Sequence, residues 1–177
     1  MLHKLFKSRP RRDAGERLYA AAVAQARRPE FYTALGVEDR IDARFELYTL
    51  HVILLMRRLR GQGEGAGETA QALFDEYVGA LDDALRELGV GDLSVAKKMR
   101  KLGEAIYGRI KAYDEALDPQ PDHAALAALI ARTVFADEAA AERAGPLADY
   151  VLRAGEALAA QPLPEVMEGK PAWPEPR

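Results

Sequence analysis

Hydrophobic residues recur every three or four positions along nearly the whole chain, the spacing that places side chains on one face of an α-helix. No segment shows the sustained alternation of apolar and polar residues that is typical of a β-strand. The pattern predicts an all-α protein, a single compact domain of six or seven helices. These are expected at about 13–28, 29–36, 39–60, 68–88, 93–117, 123–135 and 138–159.

The third predicted helix is apolar around most of its circumference. A helix with this pattern is expected to be central and buried, because every face needs a partner that excludes water. Its apolar residues are Ile41, Phe45, Leu47, Tyr48, Leu50, Val52, Ile53, Leu54, Leu55, Met56 and Leu59.

The flanking helices show narrower apolar stripes and recognisable ends. The first has a face of small residues that includes Ala22 and Ala26, and Phe31 after Pro29 is expected to plug the core. The inward stripe of the fourth is predicted to run through Leu73, Tyr77, Leu81 and Leu88.

Glycine, proline and aspartate mark the predicted breaks between helices. The segment GQGEGAG at 61–67 is expected to be a flexible connection, and Asp122 is well placed to cap the sixth helix. Gly145 and Pro146 are expected to interrupt or restart the seventh helix.

These features divide the chain into three parts. Residues 1–12 are predicted to form a flexible basic arm, residues 13–160 the helical domain, and residues 161–177 a proline-rich, extended tail pinned by Trp173. The amino-terminal segment lacks the apolar core of a secretory signal, and the most apolar run, at 47–56, is too short to span a bilayer. We therefore expect a soluble cytoplasmic protein that can work at the periphery of the inner membrane.

Composition narrows the chemistry that is available. The 177 residues include no cysteine, which excludes disulfides, thiolate metal sites and cysteine nucleophiles. Arginine outnumbers lysine 18 to 7, as in proteins from GC-rich bacterial genomes. The net charge of −3 argues against a surface that binds nucleic acid all over.

Positive charge is nevertheless concentrated in one helix. Residues 97–111 contain six cations and a single acid, Glu104. Cations near a helix start are slightly unfavourable, since the helix dipole is positive there. The cluster is either a solvated face or a surface for an anionic partner. Its members are Lys97, Lys98, Arg100 and Lys101, extended by Arg109 and Lys111.

Three polar residues interrupt the apolar third helix at seven-residue intervals. Each seven-residue step changes the direction on a helical wheel by about 20°, so Arg44, His51 and Arg58 lie along one narrow line. We favour a half-buried His51 with one ring nitrogen hydrogen-bonded; the alternative is a cationic groove edge or a pH-sensitive contact. A metal site is not expected, because positions 54 and 55 are leucines.

Known catalytic patterns are missing from the sequence. There is no nucleophile elbow, P-loop, dinucleotide fingerprint or HExxH motif, and the adjacent acid pairs point about 100° apart on a helix. The chain is therefore expected not to be an enzyme and to have no catalytic residues, metal, cofactor or small-molecule substrate.

Two segments resemble the ubiquinol–cytochrome c chaperone family. The first, at 18–59, contains RFELYTLH at 44–51. The second, at 85–117, contains GDLSVAKKMRKL at 91–102 and YGR at 107–109. The similarity as a whole covers roughly residues 15–160. The family contains mitochondrial assembly factors for the cytochrome bc complex and shorter bacterial relatives. The resemblance implies an all-helical, non-enzymatic chaperone that binds newly made cytochrome b or a similar membrane respiratory subunit.

The resemblance also bears on the partner of the basic residues. In the mitochondrial members a small second protein and the ribosome are further partners, so the basic cluster would meet ribosomal RNA, acidic lipid headgroups or acidic client loops. The alternative function is a ribosome- or RNA-binding module that uses the same cations. A client segment would need an apolar groove, for which the third helix (41–59) and the alanine-rich last helix are candidate walls.

Overall fold

The computed structural model describes the backbone of residues 2–177 and the side chains of 11–92 and 94–177. The described backbone is helical and contains no β-strand, which confirms the all-α prediction. A short 3-10 turn, Glu138–Ala140, precedes α7. The α-helices are α1 Leu2–Ala26, α2 Pro29–Thr33, α3 Ile41–Leu59, α4 Glu64–Glu87, α5 Asp92–Leu117, α6 His123–Thr133, α7 Ala141–Ala160 and α8 Leu163–Met167.

Helix α3 is the centre of the domain, as its apolar circumference predicts. It packs against α1, α4, α5 and α7, and one continuous hydrophobic core surrounds it. Because its neighbours lie on all sides, a run of consecutive residues is buried where an ordinary surface helix would show a polar face. The buried run is Thr49, Leu50, His51, Val52, Ile53, Leu54 and Leu55.

Helices α1 and α4 approach each other closely at Gly15. Gly15 lies where a Cβ would come within 2.6 Å of the backbone carbon of Ala72. The predicted small-residue face of α1 continues this contact, and Ala22 and Ala26 are fully buried. Small side chains therefore allow the two long helices to pack closely.

The carboxyl-terminal helices form a second pair, α6 against α7. Asp122 caps α6 as predicted, since its side chain accepts a hydrogen bond from the Ala125 amide. The predicted interruption of α7 is wrong: the helix continues through Pro146. Proline there removes a single hydrogen bond to the carbonyl of Glu142, which is exposed and can bond to water instead.

Several predictions for the helix ends and the tail differ from the structure. Helix α4 begins at Glu64, within the predicted flexible connection, because burial of Ala66 outweighs the weak helix propensity of glycine. Leu88 was expected to point inward but is 69% exposed, since α4 ends one residue before it. The tail contains α8, and Trp173 packs on the core beside His51, as the pinning prediction required.

The amino end of α1 also differs from the predicted start near Asp13. The backbone of residues 2–12, predicted as a flexible basic arm, is helical. The side chains of residues 1–10 lie outside the described part of the chain, and the prediction of a basic arm rests on them.

Replacing Gly15 by alanine is expected to lower the free energy of unfolding by about 1–3 kcal/mol. The new methyl group would overlap the α4 backbone, which outweighs the roughly 1 kcal/mol that alanine adds to helix propensity. Gly79→Ala is the matched control, because nothing lies within 4 Å of its Cβ position. Urea unfolding should show opposite shifts for the two variants; a stabilised Gly15→Ala protein would contradict the close helix contact.

Candidate functional site

An open groove lies between α3, the carboxyl end of α5 and α7. Its volume is about 740 Å³. The two helices predicted from sequence as candidate walls, α3 and the alanine-rich last helix, both line it. The lining residues are Leu54, Arg57, Arg58, Gln62, Leu117, Pro121, Val151, Leu152, Gly155, Glu156, Leu158 and Ala159.

The guanidinium groups at the groove edge are held by intramolecular contacts. Arg57 pairs with Asp114, and it donates to both carboxylate oxygens of Asp118, over 3.0 and 2.7 Å. This hydrogen bonding holds the pKa of the Asp118 carboxyl below its usual range. Arg60 also reaches Asp114, at 3.0 Å. These pairs fix the spacing of α3 and α5, so the groove is formed in the folded chain.

The predicted polar line of α3 separates into three independent contacts. Arg58 donates to the backbone carbonyls of Leu158, at 2.6 Å, and Gln161, at 3.0 Å. Those carbonyls end α7, where helical partners run out, so Arg58 acts as a side-chain cap for that helix. It is also the member of the line that borders the groove.

Arg44, at the other end of the line, turns toward the α2–α3 connection. Its guanidinium forms two hydrogen bonds with Asp39, of 2.5 and 2.9 Å, and lies 5.7 Å from the ring centre of Tyr32. Arg44 and Arg58 therefore serve different connections and do not share one surface.

His51 is fully buried, further inside than predicted, and both ring nitrogens are hydrogen-bonded. Nδ1 lies 2.7 Å from the carbonyl of Leu47, and Nε2 lies 2.8 Å from the hydroxyl of Tyr150. Since a carbonyl can only accept, Nδ1 carries the proton and Nε2 accepts from Tyr150. The Tyr150 oxygen in turn accepts from Gln25, at 3.0 Å.

Aromatic rings surround the His51 side chain in this chain of hydrogen bonds. Phe31 and Trp173 meet the His51 ring edge-on, with ring centres 5.4 and 5.1 Å away. Burial lowers the pKa of His51 to about 4 and raises the pKa of Tyr150. His51 is thus a neutral core residue that joins α3 to α7, more deeply buried and with one more hydrogen bond than the half-buried position predicted from sequence.

The extension of the basic cluster has its own contacts. Arg109 donates to both carboxylate oxygens of Glu46, over 2.9 and 2.8 Å, and Glu46 is only 8% exposed. Lys111 lies 3.7 Å from Glu115 on the same helix. Arg109 therefore holds α5 against α3, and Lys111 makes an exposed pair of small energetic weight.

The four remaining cations of the cluster make no ion pair with a described carboxylate, unlike Arg109 and Lys111. Their side chains are all exposed and, among the described side chains, none lies within 4.0 Å of a carboxylate. We call this group, together with the exposed Tyr107 on the same helix, the basic face. Its cations are Lys97, Lys98, Arg100 and Lys101.

Sequence reasoning missed the partners that α3 finds across the fold. Glu46, Tyr150 and Gln25 were not singled out, although a lone carboxylate in an apolar helix does indicate a cationic partner somewhere. Which cation it meets depends on contacts between residues 63 positions apart. Such pairs follow from packing and not from local spacing.

Among the described residues, no cluster of three or more His, Asp or Glu side chains has the geometry to hold a metal ion. None of the described helices combines the length and the apolar character needed to cross a bilayer.

The described residues form an all-helical domain built around one buried helix, with an open groove at its side. A family model described as "Ubiquinol-cytochrome C chaperone" matches residues 33–173. The chain belongs to that family. The matched range starts and ends later than the similarity read from sequence.

A solved structure supports the same assignment. The crystal structure of the Cbp3 homolog from Brucella abortus is similar to this chain at 34% identity, over 99% of this chain and 98% of that one, with a TM-score of 0.87. A comparison with curated proteins gave no match.

Acidification should destabilise the fold through His51. The unfolded chain binds a proton near pH 6.5, whereas the native His51 stays neutral to about pH 4. The free energy of unfolding should therefore fall by roughly 3 kcal/mol between those values, beyond the contribution of other groups. Urea titrations of wild type and His51→Gln should differ in this pH dependence; parallel curves would contradict it.

Arg109→Met should lower the free energy of unfolding by about 2 kcal/mol, because it leaves the buried Glu46 carboxylate unpaired. The effect is below that of a fully buried pair, since Arg109 is 28% exposed. The double variant Glu46→Leu/Arg109→Met should recover much of the loss. An unchanged urea midpoint in the single variant would show that the pair does not stabilise α5 against α3.

Proposed function

We propose that this protein is a non-enzymatic assembly chaperone that binds newly made cytochrome b, or a similar membrane respiratory subunit, during biogenesis of the cytochrome bc complex. Family membership supports the assembly role. The observation that supports a client site is the groove between α3 and α7. We further propose that the protein acts in the cytoplasm, at the periphery of the inner membrane.

The composition of the groove suits an apolar client segment. Its floor is formed by side chains such as Leu54, Leu117 and Leu152, while its edge carries Arg57 and Glu156. An apolar floor gains free energy when a client covers it, at roughly 25 cal/mol per Å² of buried surface. Arg57 adds no unpaired charge to this edge, because it already pairs with Asp114 and Asp118.

The size of the groove limits what it can hold. One turn of helix with its side chains is a cylinder about 10 Å wide and 5.4 Å long, on the order of 400 Å³. The groove therefore accommodates about two turns, well short of the roughly 20 residues of a membrane-spanning helix. The chaperone would hold a short part of its client, a mode of binding that allows release into the membrane.

The exposed cations support a second contact, with an anionic partner. The alternative function, a ribosome- or RNA-binding module, uses the same residues and is favoured by their lack of carboxylate partners among the described side chains. The two functions differ in location on the molecule: client capture uses the groove, and RNA binding would use the basic face.

Gly155→Trp should block client capture without unfolding the protein. Gly155 lines the groove on α7, and nothing lies within 4 Å of its Cβ position, so an indole there enters the open space. We expect newly made cytochrome b recovered with the chaperone, and the assembled bc complex, to fall at least tenfold. Pulse-labelling followed by affinity purification measures the first, and the haem b absorbance of membranes the second.

Two variants serve as controls for this experiment. Gly155→Ala adds too little volume to fill the groove, and Gly79→Trp places the same indole on α4, again with nothing within 4 Å of its Cβ position. Both should retain capture of cytochrome b. Full capture by Gly155→Trp, at an unchanged melting temperature, would remove the groove from the mechanism.

A further inference from the structure

The outer face of α5 combines positive charge with an exposed aromatic ring. With 100° between successive residues, Lys97, Arg100, Lys101 and Tyr107 leave the helix within an arc of about 120°. The opposite side of α5 is the packed one and includes the buried Ile106 and Tyr113. The four side chains therefore face solvent together.

This face keeps a net positive charge: its four cations outnumber the single acid in the same arc, Glu104, and none of the four forms an ion pair with a described carboxylate. Two nearby cations on the α4–α5 hairpin are paired with carboxylates. Arg86 contacts Asp82 and Asp92, over 2.6 and 2.5 Å, and Arg109 contacts Glu46. Among the described side chains, Lys97 and its three neighbours have no such partner. Unpaired cations on a chain of net charge −3 mark the direction from which an anionic surface can approach.

Apolar side chains accompany the cations. Tyr107 is 67% exposed and rests against Phe74 of α4, with ring centres 6.4 Å apart. Leu88, in the turn that leads into α5, is 69% exposed. An exposed tyrosine and leucine around a group of lysines form the combination that favours the interface of a bilayer, where rings and aliphatic groups enter the headgroup region and cations meet phosphates.

We propose that the basic face docks the chaperone on an anionic bilayer surface. The inference takes its setting from the proposed function, a client destined for the membrane, and adds the surface that brings the protein there. Cationic residues near an anionic membrane contribute about 1 kcal/mol each. The negative charge elsewhere on the molecule opposes docking only weakly, since charges more than about 10 Å from the bilayer are screened at 0.1 M salt.

A bilayer fits this face better than a nucleic acid does. RNA binding through stacking uses several aromatic platforms along a basic groove, whereas this face exposes one ring, Tyr107, and the exposed aliphatic side chain of Leu88 lies in the preceding turn. The exposed acids on the neighbouring helix, such as Asp75 and Asp83, disfavour contact between α4 and an anionic bilayer.

Vesicle co-sedimentation with the purified full chain tests the proposal. The vesicles consist of phosphatidylcholine alone or of equal parts phosphatidylcholine and phosphatidylglycerol. We expect binding only to the anionic vesicles, weakening as salt rises. Lys97, Lys98 and Lys101 changed together to Gln should weaken it about a hundredfold. Tyr107→Ser should weaken it severalfold without altering the salt dependence, because it removes apolar contact and no charge.

A matched variant controls for net charge. Changing Arg40, Arg132 and Lys170 together to Gln removes three exposed cations from other elements and should leave vesicle binding intact. Equal loss in both triple variants, or equal binding to both vesicle types, would overturn the proposal. Binding of a single-stranded RNA without binding to anionic vesicles would also overturn it and assign the face to a nucleic acid.

This assay contains no client, so its outcome is independent of the groove. Vesicle binding by Gly155→Trp at the wild-type level, together with lost capture of cytochrome b, would support both proposals. Lost vesicle binding in the lysine variant with normal capture of cytochrome b from detergent extracts would place the two functions on separate surfaces, as the structure arranges them.

Discussion

The fold depends on satisfying the polar groups of a helix that is buried on all sides. An unpaired polar group in such a place costs on the order of 1–3 kcal/mol, and an unpaired charge more. Five polar side chains of α3 each meet a group on a neighbouring helix, so the contacts of α3 position α4, α5 and α7 around it. The pairs are Glu46–Arg109, Thr49–Tyr77, His51–Tyr150, Arg57–Asp114 and Arg58 with the Leu158 carbonyl. The apolar residues drive burial, and these pairs fix which helix lies where.

Local rules predicted the elements well and their partners poorly. The central position of α3 follows from its apolar circumference, and the start of α6 follows from Asp122, since both depend on neighbours in sequence. The course of α4 through its glycines and of α7 through Pro146 depends on packing that local propensity does not contain. The walls of the groove could be named from hydrophobicity, but its position at the carboxyl end of α5 could not, because it arises where three helices diverge.

Helix α5 connects the two surfaces on which the proposals rest. Its first half carries the cations of the basic face, and its last residue, Leu117, lines the groove. Lys101 and Leu117 are 16 residues apart, about 24 Å along the helix axis. A chaperone that rests on a bilayer by its basic face would thus hold its client segment about 24 Å from Lys101, measured along α5. This distance is roughly the thickness of one leaflet with its headgroups. Arg109, between the two, ties the helix to α3 and keeps this spacing fixed.

The placement of Trp173 over His51 has a consequence for the order of folding. The nearby hydrogen bond from Gln25 to the Pro174 carbonyl joins residues 149 positions apart, and closing so long a loop in an open chain costs on the order of 4 kcal/mol of entropy. Once α1, α3 and α7 have associated, the loop still to be closed contains only the residues from α8 to the tail, and the entropy cost of closing it is small. We therefore expect the helices to assemble first and the tail to dock last, which would complete the aromatic enclosure of His51 in the final step of folding.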